Sequence, residues 1–326
     1  MRLRKGAVVA ASSVLLLAAA CSGTGQAPPA ATAGGGEGSY GYNFTVITHG
    51  AAGDTFWDVV KKGAEQAGTD EGVTVTYRDS NGDPARQSQL IDAAINEQVD
   101  GIVVSMANPD ALRSSIEAAV AADIPVITIN SGQDRSTEFG ALAHVGQDEG
   151  IAGQGAGQQM AAAGVTKALC VIQEAGNIGL EQRCQGFTQG LGGAVENLQV
   201  ENSNPTGAQA TIRAKLQSDP SINGVLTLGP VIGAAAITAV EESGSTAQLA
   251  TFDLNGDVTQ AIADGRMLFA VDQQQYTQGY LPIVMLTLYK SNLNTIGGGQ
   301  PVLTGPGYVT QENAAQVQDL ATQGTR

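Results

Sequence analysis

Histidine, cysteine, aromatic and basic residues are all scarce in this chain of 326 residues, and each shortage removes a class of function. The two histidines, His49 and His144, and the three cysteines form no cluster with ligand spacing, so no metal site and no cofactor are expected. Lysine and arginine number 16 against 31 aspartates and glutamates, a net charge of −15, and the chain is not expected to bind nucleic acid. Only 14% of residues are charged, but 42% are hydrophobic, which describes globular chain with room for about two domains. Catalytic signatures are also missing. There is no Gly-x-Ser-x-Gly elbow, and Gly153-Gln154-Gly155-Ala156-Gly157-Gln158 lacks the third glycine of a dinucleotide fingerprint. Asp79-Ser80-Asn81-Gly82-Asp83 and Asp253-Leu254-Asn255-Gly256-Asp257 carry glycine at position four, where a calcium loop wants it at six, and read as turns entering helices.

A long apolar run is absent at the amino end as well. Arg2, Arg4 and Lys5 precede an uncharged stretch, 6–20, that is 15 residues long, short of the roughly 20 that a bilayer-spanning helix needs. A basic start, an apolar middle and small residues describe a secretory signal peptide. The small residues run directly into a cysteine, Leu17-Ala18-Ala19-Ala20-Cys21, which resembles the lipobox of bacterial lipoproteins and makes Cys21 the expected lipidated residue. An ordinary signal peptide with an incidental cysteine is the alternative. Removing residues 1–20 takes away three basic side chains and no acidic one, so the mature chain has 13 basic residues against 31 acidic, a net −18. The stretch after Cys21 is rich in Gly, Ser, Ala and Pro, has almost nothing to bury, and is expected to be a flexible tether.

What the sequence does contain is a regular alternation. Short β-branched runs at 44–48, 73–77, 101–105 and 125–129 are each followed by turn residues and a stretch with helical periodicity. The series starts again with strand-like runs at 168–172, 195–200, 224–228, 249–252 and 268–271. Two such series predict two similar α/β lobes with parallel sheets. Asp83-Pro84 and Asn108-Pro109 place an N-cap before a proline at the first helical position, so two helices should start there. Cys170 at the end of one β-like run and Cys184 in the following helical pattern are 14 positions apart; export favours a disulfide between them, with two buried free thiols as the alternative. The fourth run of each series ends in a polar residue, Asn130 in the first and Asp253 in the second. Open α/β sheets bind ligands at the carboxyl ends of their strands, so these two side chains are expected on opposite sides of one cleft.

From about residue 43 to 309 the sequence resembles the ribose-binding-protein-like solute receptors of ABC importers, the type 1 periplasmic binding proteins. The resemblance rests on elements in family order: Gly53-Asp54-Thr55-Phe56-Trp57, Asp100-Gly101-Ile102-Val103-Val104, Ile124-Pro125-Val126-Ile127, Arg183-Cys184-Gln185-Gly186-Phe187, then Phe252-Asp253 and Asp272-Gln273. It implies two Rossmann-like (flavodoxin-like) lobes joined by three hinge crossovers, with 42–145 and 274–304 in the N-terminal lobe and 146–273 and 305–326 in the C-terminal lobe, after a signal peptide at 1–20 and a tether at 21–41. It also implies that Asn130, Arg183, Asp253 and Gln273 contact the ligand. Asp54 is expected to contact it too while capping the next helix, and Phe56 and Trp57 to offer flat apolar faces to the sugar C–H groups, with packing against the sheet as the alternative for at least one of them. A structural ion pair is the alternative for Arg183, which is otherwise expected to keep Asp253 ionised and to donate to the same ligand. His49, Asn177 and Asp272 are weaker candidates. Carboxylates, amides, an arginine and aromatics in one cleft suit a molecule made of hydroxyls and C–H faces.

One departure bears on the ligand. The family often has an Asn-Asp pair after the strand at 224–228, where this chain has Gly229-Pro230, so a ribose-like ligand is in doubt and a differently shaped polyol has room. The expected function is a monomeric solute receptor, lipid-anchored outside the bacterial cell membrane, that captures a monosaccharide or sugar alcohol and delivers it to an ABC permease. Presentation of the ligand to a membrane sensor is the main alternative, and an exported hydrolase a weaker one. The carboxylate pair Asp54 and Asp253 suggests a glycosidase, but the matching family positions bind sugars without hydrolysing them.

Overall fold

Helix starts in this chain are set by short polar side chains that accept from the first free backbone N–H groups. In the computed structural model, which describes residues 40–51 and 53–326, Asp83 accepts from the N–H groups of Ala85 and Arg86, and Asn108 accepts from that of Ala111. Each stands before a proline in the first turn, as the sequence predicts. The expected signal peptide and the lipidation site Cys21 lie outside the described residues.

The first lobe is built from β1 (Asn43–Thr48), α1 (Thr55–Glu71), β2 (Thr74–Asp79), α2 (Pro84–Asn96), β3 (Gly101–Ser105), α3 (Pro109–Ala121), β4 (Val126–Ile129), the short α4 (Gln133–Ser136) and β5 (Ala143–Gly146). The second repeats the plan with α5 (Glu149–Ala162), β6 (Lys167–Ile172), α6 (Ile178–Leu191), β7 (Ala194–Gln199), α7 (Pro205–Ser218), β8 (Gly224–Thr227), α8 (Pro230–Ser243), β9 (Gln248–Phe252), α9 (Gly256–Ala263) and β10 (Phe269–Asp272). The chain then runs through α10 (Gln275–Asn292), β11 (Val302–Leu303), β12 (Gly307–Thr310) and α11 (Ala314–Gln323).

Two six-stranded sheets result, ordered β11-β5-β4-β3-β1-β2 and β12-β10-β9-β8-β6-β7. All neighbouring strands are parallel except β12, which runs antiparallel to β10. Every residue of β3 and β4 is buried, which explains why these strands read as continuous apolar runs, whereas the edge strands β2 and β7 are partly exposed. The chain passes from one sheet to the other three times: between β5 and β6, between β10 and β11, and between β11 and β12. The nine strands expected from the sequence all form, with ends within two residues of those expected. β5, β11 and β12 were not individually legible because they are only two to four residues long and carry no apolar run of their own.

Packing in the second lobe explains two sequence features. The glycine-rich stretch that half resembles a dinucleotide fingerprint is inside α5, where it lets α6 approach closely. A Cβ on Gly153 would sit 2.1 Å from the carbonyl oxygen of Arg183, and one on Gly157 would sit 2.4 Å from that of Phe187. Cys170 of β6 and Cys184 of α6 are joined in a disulfide, with their Cα atoms 5.8 Å apart. Arg183, next to Cys184, is thereby fixed between a close helix contact and a covalent tie to the sheet.

Candidate functional site

In each sheet the first and third strands of the series are neighbours, β1 beside β3 and β6 beside β8. Connections leave these pairs in opposite directions, which opens a crevice at the carboxyl ends where ligands bind in such folds. The two crevices face each other across a cavity whose empty space, open mouth included, is about 390 Å3. Residues following β1, β4, β6, β8, β9 and β10 all line it.

Its floor is a chain of hydrogen bonds through buried side chains. Asn130, just past β4, donates through Nδ2 to Gln273 Oε1 at 3.0 Å, and Gln273 Nε2 donates to both carboxylate oxygens of Asp253 at 2.9 and 3.1 Å. Asn130 and Asp253 both have left-handed backbones, with φ of 62° and 66°. Gln278 of α10 donates to Gln273 Oε1 at 2.9 Å and steadies the bridge from behind.

Arg183 lies over the Phe252 ring, 4.5 Å from its centre, and three of its five N–H donors are paired. Nε and one terminal nitrogen donate to the two oxygens of Glu149 at 2.6 and 2.8 Å, and the other terminal nitrogen donates to the Leu228 carbonyl at 3.1 Å. That nitrogen is 3.9 Å from Asp253 Oδ2. The expected structural ion pair and the expected cavity position therefore both occur, but the close partner is Glu149. The expectation that Arg183 keeps Asp253 ionised needs correction. Burial outweighs the more distant guanidinium and pushes the Asp253 carboxyl up to about 7.

The opposite wall comes from the first lobe. Asp54 caps α1 by accepting from Phe56 N–H at 3.0 Å, and its other oxygen accepts from Asn202 of the second lobe at 2.7 Å. Burial, reinforced by the charge of Glu174, pushes its carboxyl up to about 6. Phe56 and Trp57 are both buried, meet edge to face with ring centres 4.9 Å apart, and line the cavity as well as the core, so packing and lining coexist in them. His49, past β1, also reaches the cavity. Its Nδ1 lies 2.7 Å from Ser105 Oγ, and desolvation by burial, helped by Arg183, lowers it to about 3, so it is neutral.

Asn177 caps α6 and accepts from Gly179 N–H and from Ser131 Oγ of the first lobe, while its amide nitrogen donates to Glu174 at 2.7 Å. Asp272 is a correction. Its carboxylate accepts from Gln274 N–H at 2.8 Å and Arg326 Nε at 2.8 Å and does not line the cavity. Side chains alternate along a strand, so of the adjacent pair Asp272 and Gln273 only one can face the cleft.

Several participants have no place in the sequence reading. Glu149, which holds Arg183, is 34 positions away from it and gives no local signal. Glu174 and Gln173 follow β6 and were findable by the rule that identified Asn130 and Asp253, that polar residues just past a strand's carboxyl end face the cleft. Gln173 also answers the departure at Gly229. A Cβ there would lie 2.7 Å from Gln173 Nε2, so the glycine makes room for an amide supplied by the neighbouring strand end.

Among the described residues, no group of three or more His, Cys, Asp or Glu side chains is placed to hold a metal ion, and no helix is long and apolar enough to cross a membrane. The sequence profile of the periplasmic binding protein domain matches residues 44–292. The ribose import binding protein of Bacillus subtilis is 26% identical over 233 residues, 69% of this chain and 74% of that protein. A carbohydrate transporter from Acidothermus cellulolyticus 11B, crystallised with myo-inositol, is 44% identical, with a TM-score of 0.86 over 88% of this chain and 100% of that one. A solute-binding protein from Burkholderia graminis in complex with D-arabinose, at 23% identity and a TM-score of 0.75 over 83% of this chain and 96% of that one, shares the fold. These matches are substrate-binding transport proteins, not enzymes. On the span of the profile and the likeness of both sequence and fold, this chain belongs to the periplasmic binding protein family.

Proposed function

We propose that this protein is an extracytoplasmic receptor, anchored by lipid at Cys21, that captures a ring polyol, a monosaccharide or sugar alcohol, between its lobes and delivers it to an ABC permease. The lobes divide as 42–145 with 274–304 and 146–273 with 305–326, and the receptor acts as a monomer. The observation that carries the reading is the hydrogen-bonded chain Asn130–Gln273–Asp253, which runs from one lobe's strand end to the other's along the floor of a cavity walled by Phe56 and Trp57. Amides and a carboxylate supply donors and acceptors for hydroxyls, and the rings supply flat apolar surface for C–H faces. The 44%-identical protein crystallised with myo-inositol supports a six-membered ring with many hydroxyls.

Closure is the signal in this reading. A ligand held by Asn130 on one side and Asp253 and Arg183 on the other interacts with both lobes only when they meet, so it shifts the population toward the closed form, which the permease reads. A thermal-shift screen of the purified protein over pentoses, hexoses and cyclitols tests this. A specific ring polyol should stabilise the protein by roughly 4 kcal/mol at a thousandfold excess over Kd. A screen in which no sugar or polyol raises the melting temperature would overturn the reading.

A further inference from the structure

The cavity is electrically lopsided. Its guanidinium, Arg183, gives two bonds to Glu149 and faces Asp253 as well. At the other end stand Asp54 and Glu174, and among the described residues no lysine or arginine nitrogen comes within 4.0 Å of either. The nearest ring nitrogen, His49 Nε2 at 3.6 Å from Glu174, belongs to a neutral imidazole. Asp54 and Glu174 are drawn into one group by Asn202. Its side chain donates to Asp54 at 2.7 Å, and its backbone N–H donates at 3.1 Å to the carbonyl of Gln173, the residue before Glu174.

A second observation concerns Gln173 itself. Its side chain lines the same cavity and is only 8% exposed, yet its Oε1 is buried with no hydrogen-bond partner. Buried acceptors are nearly always paired, so an orphan beside a cavity marks the place of an absent donor. The residues lining this cavity thus bring two carboxylates and an unpaired amide oxygen, all acceptors. A hydroxyl brings one hydrogen and no charge, whereas an ammonium group brings three hydrogens, no lone pair and a positive charge.

Resting on the receptor reading above, we infer that the preferred ligand is an aminated ring polyol, an aminocyclitol or amino sugar, whose ammonium group is held by Asp54, Glu174 and Gln173 Oε1 while its hydroxyls engage Asn130, Asp253 and Arg183. Charge repulsion between Glu174 and Asp54, one of the causes that raise the Asp54 carboxyl, is relieved by such a ligand. Both carboxylates are half-buried, which strengthens their attraction for a cation relative to a fully exposed site.

The test is calorimetric titration of the whole mature protein at neutral pH with matched pairs of probes: myo-inositol against an inosamine, and glucose against glucosamine. In at least one pair the amine should bind about tenfold or more tightly than its neutral partner, the factor that roughly one charge-assisted contact provides. Raising the salt concentration should weaken the amine more than the neutral probe. In Glu174→Gln and in Asp54→Asn, which keep shape and remove charge, the ratio of the two affinities should fall to about twofold. The wild-type ratio stands alone if a variant fails to fold. Neutral polyols binding as well as or better than their amines would overturn the inference and leave the receptor reading in place. Amine preference that persists in both variants would overturn the site assignment. Binding of neither member of any pair, nor of any other polyol, would overturn both.

Discussion

Asn130 and Asp253 hold the same backbone position in the two lobes, each just past its sheet's fourth strand in a left-handed conformation, and Gln273 bonds to both. The pairing makes one amide the shared floor of a site that belongs to neither lobe alone. Gln273 follows β10, at one of the three passages between the sheets, so the side chain that joins the two contacts also lies beside a crossover.

Gly229 tests how tightly the site is shaped. In Gly229→Ala the new Cβ would meet Gln173 Nε2, the mobile end of a side chain, so the protein should fold with a melting temperature close to that of wild type. The displaced amide changes the cavity wall, and affinity for the cognate polyol should fall about tenfold. A titration showing unchanged affinity would remove Gln173 from the site.

Protonation should tune stability through Asp253. The folded chain holds this carboxyl near 7, above the ordinary 3.8, because of burial. Between those values the folded state binds more protons than the unfolded state, so the residue's contribution to stability falls as pH rises from about 4 to about 7. His49 and His144, lowered to about 3 and about 4 by burial, act in the opposite direction below their ordinary 6.5, so the comparison must cancel them. Wild type minus Asp253→Asn does so. Without ligand, the melting temperature of wild type relative to the variant should drop steadily across that window, and a flat difference would contradict the dominance of burial over the nearby guanidinium at this carboxyl.

The disulfide closes a short loop between β6 and α6, and a loop of this size is worth about 3 kcal/mol through the unfolded state. Peptide mapping without reductant should recover Cys170 linked to Cys184 in exported protein. Reduction should lower the denaturation midpoint. Free thiols at both positions would contradict the pairing.

Cys21→Ala should move the protein from the membrane fraction to the soluble fraction of cells, since lipid attached at that thiol is the proposed anchor. Retention of the variant on the membrane would count against the lipoprotein reading.

The sequence made the strand ends legible because a buried strand is an apolar run, and the first polar residue beyond it is conspicuous: Asn130 and Asp253 were found this way, whereas Gln273 came from the family resemblance. Asp54 was visible as a helix cap that ends up serving the cavity too. Asp272 misled for a geometric reason, since it is also the polar end of a strand but points the other way by one residue's alternation. Glu149 was invisible because its bond to Arg183 is made by helix packing, which depends on Gly153 and Gly157 at close range and leaves no local pattern around the glutamate. The Asn202 side chain likewise acts across the interlobe cleft, from a loop residue whose partner Asp54 is 148 positions away.

The central claim is that the interlobe cavity binds a ring polyol through Asp253, and calorimetric titration of the ligand from the thermal-shift screen against wild type and Asp253→Ala tests it most directly. The variant removes a buried acceptor that is partnered in the structure only by Gln273 at close range, and it leaves ligand hydroxyls unpaired in a desolvated site. Circular dichroism should show both proteins folded, with affinity lower in the variant by roughly 30-fold to 1000-fold. Unchanged affinity in a folded Asp253→Ala would place the ligand elsewhere and contradict the account.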